Sequence, residues 1–187
     1  GEPKYLPVDE KHVLEPSAPY GISKHTAEHY VKAYNELNGL DYLIFCFGNV
    51  YGPRDDPSCK RVTAIFSEMM IKGEQPIIFG DGGQTRDFLY VLDLAKFIVN
   101  SIEKNPKTKL FNLANGKQTS VTEIFESLKE ISGFAQDAKH IQAIKGEIRD
   151  ICLDTTLAQK ELGWNPTTSM KDGLYETYKW LEENSNK

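Results

Sequence analysis

The six residues Tyr42-Leu43-Ile44-Phe45-Cys46-Phe47 constrain the fold more than any other stretch. A continuous apolar run has no polar face to offer water. As a strand it must be covered on both sides, which is the condition of a parallel sheet between helices. The segment before it reads as one such cover. Placed at 100° per residue, Ile22, Thr26, Ala27, Tyr30, Val31, Ala33, Tyr34 and Leu37 gather on one broad face, which is expected to be the buried one. Lys24, His25, Glu28, His29, Lys32, Asn35 and Glu36 gather on the other. Ser17 reads as the N-cap, Pro19 suits the first turn, and Asn38-Gly39 supplies the stop.

Along the rest of the chain, strands and helices alternate. Pro3, Pro7, Pro16 and Pro19 keep residues 2–18 irregular. After a polar loop from Gly48 to Cys59, a helix is expected over 61–72. Ile77–Phe79 and Arg86–Tyr90 read as the two strands of a hairpin around Gly80-Asp81-Gly82-Gly83. Further helices are expected over 92–104, from the capping box Ser120-Val121-Thr122-Glu123 to Ser132, over 155–162 and over 169–183, with a strand at Leu110–Leu113 and a turn at Asn115-Gly116. The class is α/β.

Composition narrows the function. With 22 Lys+Arg against 27 Asp+Glu the net charge is −5, which leaves no basic footprint for nucleic acid or an anionic membrane surface. No apolar run reaches the ~18 residues of a membrane span, and residues 1–10 lack the order of a signal peptide. Cys46, Cys59 and Cys152, odd in number and far apart, argue against a disulfide framework or a structural zinc, and for reduced thiols in the cytoplasm.

Three constellations could carry chemistry. Tyr20 and Lys24 stand one helical turn apart at a helix start. A phenol titrates near 10, and an adjacent ammonium favours its phenolate, the form that can act as a base. The same spacing recurs at Tyr175 and Lys179, where a packing tyrosine beside a solvated lysine explains it. His25, Glu28 and His29 match the H-x-x-E-H order of some zinc peptidases, but they fall on the polar face and no third ligand stands out. No metal site is expected. Residues 80–86 are neither a dinucleotide fingerprint nor a P-loop. Arg86, at their exit, has the fork geometry for a phosphate or for a surface ion pair.

Together these pieces resemble one family. Pro19 to Lys24, with Ala27-Glu28, is similar to the catalytic helix of the extended short-chain dehydrogenases/reductases. Gly48-Asn49-Val50-Tyr51-Gly52-Pro53-Arg54 resembles their substrate loop. Residues 80–88 with Val91-Leu92-Asp93, then Gly146-Glu147 and Leu162 to Pro166, continue the pattern in order. The resemblance is to the NAD-dependent epimerase/dehydratase family, in its UDP-glucose 4-epimerase branch. It implies that the chain is a C-terminal piece: residues 1–48 a remnant of the NAD-binding Rossmann domain, and residues 49–187 mainly the substrate-binding domain, with some segments returning to the parallel sheet.

The resemblance also implies roles. Tyr20 would be the phenolate base, and Lys24 would hold the nicotinamide ribose beside it, with Phe47 near the nicotinamide of NAD. Asn49 and Arg86 would hold the diphosphate of a UDP-sugar, and the protein would form a homodimer. Two departures stand out. Cys46 occupies a position where the family usually has arginine. Ile144 occupies another, where Lys145 or Arg149 would have to substitute. Ile151 falls where the family sets room around the sugar. The implied reaction is 4-epimerisation through a transient 4-keto sugar. The rivals are a nucleotide-sugar 4,6-dehydratase and an inactive piece that only binds substrate or self-associates. The glycine fingerprint and its acidic ribose-binding partner are absent from these residues.

Overall fold

A computed structural model describes residues 1–184. The chain runs α1 (Pro19–Asn38), β1 (Ile44–Phe47), β2 (Asn49–Tyr51), α2 (Val62–Ile71), β3 (Ile77–Phe79), β4 (Thr85–Tyr90), α3 (Val91–Ser101), β5 (Leu110–Leu113), β6 (Gln118–Ser120), α4 (Val121–Ser132), β7 (Lys139–Ile141), α5 (Thr156–Leu162) and α6 (Met170–Asn184). The expected α/β class with parallel pairing holds. β1 pairs in parallel with β5, β2 in parallel with β4, and β3 in parallel with β7, while β6 joins β4 antiparallel.

The expected hairpin over 77–90 does not form. β3 leaves for β7, and β4 sits between β2 and β6. β4 is central and buried on both faces: Phe88 and Tyr90 enter one core and Leu89 the other. The neighbouring positions along β4 are taken, by β2 in parallel and by β6 antiparallel, so β3 pairs elsewhere. The loop after Gly48 also contains β2 and a 3-10 turn at Pro57–Cys59, and β6 and β7 were unforeseen because three residues carry almost no period.

Two cores flank β4. α2, α4 and α6 close one of them around Phe66, Ile78, Ile124, Leu128 and Leu174. α3, α5 and β5 close the other around Phe97, Phe111, Leu113, Leu162 and Trp164. The capping box at Ser120 and Glu123 is made in both directions: Glu123 N donates to Ser120 Oγ (3.1 Å), and Ser120 N donates to Glu123 Oε2 (2.7 Å).

Between β1 and β2 the chain changes neighbours, from β5 to β4, and it does so at Gly48. A Cβ there would stand 2.5 Å from Asp87 O and 3.1 Å from the Ala114 side chain, so only glycine threads the gap. The irregular leader closes the far edge of β5. Glu10 accepts from Asn112 N (2.8 Å), and Val8 bridges Leu153 in parallel.

α1 departs from expectation. Its N-cap is Ala18, with no side-chain bond, not Ser17. None of its residues is buried, and its apolar face stands open: Tyr30 is 65% exposed, Tyr34 58% and Leu37 82%. β1 pairs only with β5, and no further strand extends that sheet beneath α1 among the described residues. Among those residues no helix is long and apolar enough to cross a membrane.

Candidate active site

α1 delivers two functional groups from its first turns. Lys24 Nζ lies 5.4 Å from the centre of the Tyr20 ring, the stacking that i,i+4 spacing dictates. Tyr20 as a whole is 74% exposed, open to a ligand. Across an open cavity of about 800 Å³ stand the end of β1 and the start of β2, with Phe47, Gly48 and Asn49. The cavity is therefore walled by a helix carrying a phenol and an ammonium, and by a sheet end carrying an aromatic ring and a carboxamide. That position, beyond the carboxyl end of a parallel strand, is where open α/β sheets bind their ligands.

Cys46 also lines this cavity. Burial, together with the Glu28 carboxylate to which its Sγ donates at 3.9 Å, pushes its thiol up to about 11. At this place the protein puts a neutral thiol. Arg61, the residue before α2, lines the cavity as well. The sequence reading missed it, although Asp55 and Arg61 bracket the loop with opposite charges. Arg61 Nε donates to Asp55 Oδ1 at 2.5 Å.

The expected phosphate group is less direct. Arg86 and Ile151 do not line this cavity. Arg86 Nη2 donates to Glu147 Oε1 (3.0 Å) and its Nη1 to Thr85 O (2.8 Å). Arg149 lies in a second cavity of about 400 Å³ with Phe79, Gly80, Gln84 and Ile144. Its guanidinium grips Asp81 with two bonds (2.8 and 3.0 Å) and, with the Gly83 N–H, holds that carboxyl far below its usual range. Gly83 allows the approach, since a Cβ there would be 2.6 Å from the guanidinium. Ile151 is half-buried, and its N–H donates to Thr85 O (3.2 Å). The two cavities thus divide the expected residues: Tyr20, Lys24, Phe47 and Asn49 in one and Arg149 in the other. Arg86 is tied to the wall of the second through Glu147.

Asp87 is a second residue that the motif reading left without a role. It is fully buried and accepts from Asn115 N (2.9 Å), Gly116 N (3.1 Å) and Leu153 N (3.1 Å). It ties β4 to the turn after β5 and to residue 153, and so fixes the strand that carries Arg86. Its burial raises the carboxyl pKa against the opposing pull of those N–H groups.

His25 and His29 face each other, Nε2 to Nε2 at 3.2 Å, and no group of three or more metal-binding side chains occurs among the described residues. Tyr175, the second tyrosine of that spacing, lies on α6 outside both cavities.

Known proteins resemble the chain over nearly its whole length. The family model described as GDP-mannose 4,6 dehydratase matches residues 1–177. A Methanocaldococcus jannaschii protein named as a provisional UDP-glucose 4-epimerase is 45% identical over 186 residues, covering 99% of this chain and 60% of that protein. The crystal structure of UDP-glucose 4-epimerase with UDP-glucose from Thermotoga maritima superimposes with a TM-score of 0.92 at 37% identity, covering 97% of this chain and 59% of that one. UDP-glucuronic acid 4-epimerase from Bacillus cereus, in complex with UDP-glucuronic acid and NAD, gives 0.88 at 30% identity, with 98% and 58% covered. Bacterial dTDP-glucose 4,6-dehydratases match at 26–28% identity. The chain thus spans about three fifths of the length of these epimerase relatives. With a family model covering nearly all of it and epimerases superimposing throughout, the chain belongs to the NAD-dependent epimerase/dehydratase family.

Proposed function

We propose that this chain is the substrate-binding and proton-handling part of an NAD-dependent UDP-sugar 4-epimerase, with UDP-glucose and UDP-galactose as the default pair. The observation that carries the reading is the gathering of Tyr20, Lys24, Phe47 and Asn49 around one cavity. Residues 1–48 are assigned to the cofactor side and residues 49–187 mainly to the substrate side.

The residues present fit one end of NAD. A cavity of about 800 Å³ with an aromatic wall, a lysine and a tyrosine accommodates a nicotinamide riboside, while the chain has no glycine fingerprint to hold the pyrophosphate. When bound, NAD supplies hydride acceptance and return at the sugar C4. Tyr20 takes the O4 proton, and Lys24 holds the ribose and favours the phenolate. The 4-keto sugar then rotates so that the opposite face of C4 would receive the hydride, and Tyr20 returns the proton to O4. Asn49 and Arg86 hold the diphosphate, so that the anchored end of the substrate permits the free end to rotate. For Arg86 to do this, its bond to Glu147 must open or be shared with phosphate.

The epimerase reading is favoured over a 4,6-dehydratase by the higher identity of the epimerase relatives. The test uses this chain completed to the length of its relatives, with the unmatched part of the M. jannaschii protein joined ahead of Gly1. UDP-galactose should be converted to UDP-glucose. Tyr20→Phe should lower kcat by at least about a thousandfold while the protein remains folded, and Tyr175→Phe should leave kcat unchanged. Full activity in Tyr20→Phe refutes the assignment. A 4-keto-6-deoxy product in place of the epimer would establish the dehydratase.

A further inference from the structure

Arg61 is the only arginine lining the cavity of Tyr20, Lys24 and Asn49 among the described residues. The other two guanidinium groups considered for phosphate are engaged, Arg86 with Glu147 and Arg149 with both oxygens of Asp81. Arg61 is held differently. Its Nε and Nη2 both reach a single oxygen, Oδ1 of Asp55, whose side chain is 5% exposed while that of Arg61 is 50% exposed. Oδ2 of Asp55 is buried without a hydrogen-bond partner.

A guanidinium carries five N–H donors. Asp55 engages two of them from the protein side, which leaves the remainder of a planar fork for the cavity side. Burying a carboxylate is costly, so a buried aspartate spent on one arginine is an arrangement for fixing that arginine in place. The loop between them supports this. Asp56 Oδ1 accepts from Ser58 N (2.8 Å), and Arg54 and Lys60 at its two ends adopt the left-handed backbone (φ 68° and 56°). The loop thereby presents Arg61 as the residue preceding α2.

We infer that Arg61 is a substrate-binding residue that takes the diphosphate of the nucleotide sugar, with Asp55 as its positioning residue. The inference rests on the nucleotide-sugar reading of this cavity. The diphosphate is chosen over the sugar because an epimerase must let the sugar turn over. A bidentate grip on the ring would oppose that motion, whereas the diphosphate is permanently anionic and stays in place through the cycle.

The test is isothermal titration of the full chain with uridine, UDP and UDP-glucose, before and after Arg61→Gln, Arg61→Lys and Asp55→Asn, with far-UV circular dichroism to confirm folding. Arg61→Gln should weaken UDP and UDP-glucose by about tenfold and leave uridine unchanged. Arg61→Lys should lose roughly a third to a half of that effect on a logarithmic scale, since it keeps the charge without the fork. Asp55→Asn should weaken UDP by a few-fold without changing uridine. Equal UDP affinity in Arg61→Gln and the unaltered chain overturns the inference and leaves the proposed function standing. A loss of equal size for uridine and UDP also overturns it, because that marks a structural role. Failure of the unaltered chain to bind UDP at all overturns both.

Discussion

Replacing Trp164 by phenylalanine tests how the second core supports the site. Trp164 is 2% exposed, and its indole N–H donates to Ala114 O at 2.8 Å. Its ring meets Phe97 edge-on, with centroids 4.8 Å apart and planes at 77°. Ala114 is itself fully buried, and its side chain is the one that a Cβ on Gly48 would strike. The tryptophan therefore anchors the end of β5 against the crossing between Phe47 and Asn49. Phenylalanine fits the hole but is smaller by about 40 Å³, which at ~24 cal/mol per Å³ costs about 1 kcal/mol. The orphaned Ala114 carbonyl adds about 1–3 kcal/mol. The sum is about 3 kcal/mol, and at roughly 2–4 °C per kcal/mol for a chain of this size the midpoint should fall by ~6–12 °C. Thermal and urea unfolding followed by far-UV circular dichroism measures both. A loss below about 1 kcal/mol would show that neither the indole bond nor the edge-on contact holds β5, and the argument linking Trp164 to the crossing would be wrong.

Three further outcomes are expected. Gly48→Ala should destabilise the fold by about 3 kcal/mol or more, because its Cβ meets backbone that cannot retreat; urea unfolding at native stability contradicts the crossing geometry. Iodoacetamide at pH 8 should alkylate exposed Cys59 well before Cys46, whose thiol, pushed up to about 11, is ionised in roughly one molecule in a thousand. Its labelling should rise about tenfold per pH unit towards 11. Because folding raises this pKa from 9.0, the associated stability is intact below pH 9 and is lost as the pH climbs to about 11; equal labelling of the two thiols at pH 8, read by mass spectrometry, contradicts this. The open face of α1 should drive self-association, and Tyr34→Glu with Leu37→Glu should shift the chain towards monomer in sedimentation velocity; an unaltered chain that is already monomeric at tens of micromolar refutes it.

What the sequence by itself determined was local and periodic. The 19–38 helix with its stop at Gly39, the strand read within 42–47 and the capping box at Ser120 each follow from spacing, caps and glycines that act within a few residues. The stacking of Tyr20 on Lys24 follows for the same reason, since one helical turn is enough to bring them together. Tertiary structure decided everything that depends on which faces meet. The place beside β4 expected for a hairpin partner is taken by β2 and β6, so β3 pairs with a strand 62 residues downstream. The face of α1 that looks buried in a helical wheel is bare, because burial needs a neighbour and the sheet beside β1 ends there. The arginines show the same limit. Their charge is legible in the sequence, but whether each faces a carboxylate or a cavity depends on residues up to 68 positions away: Asp81 for Arg149, Glu147 for Arg86, and for Arg61 the buried Asp55 that turns it toward the site. A side chain's chemistry is local, and its electrostatic partner is chosen by the fold.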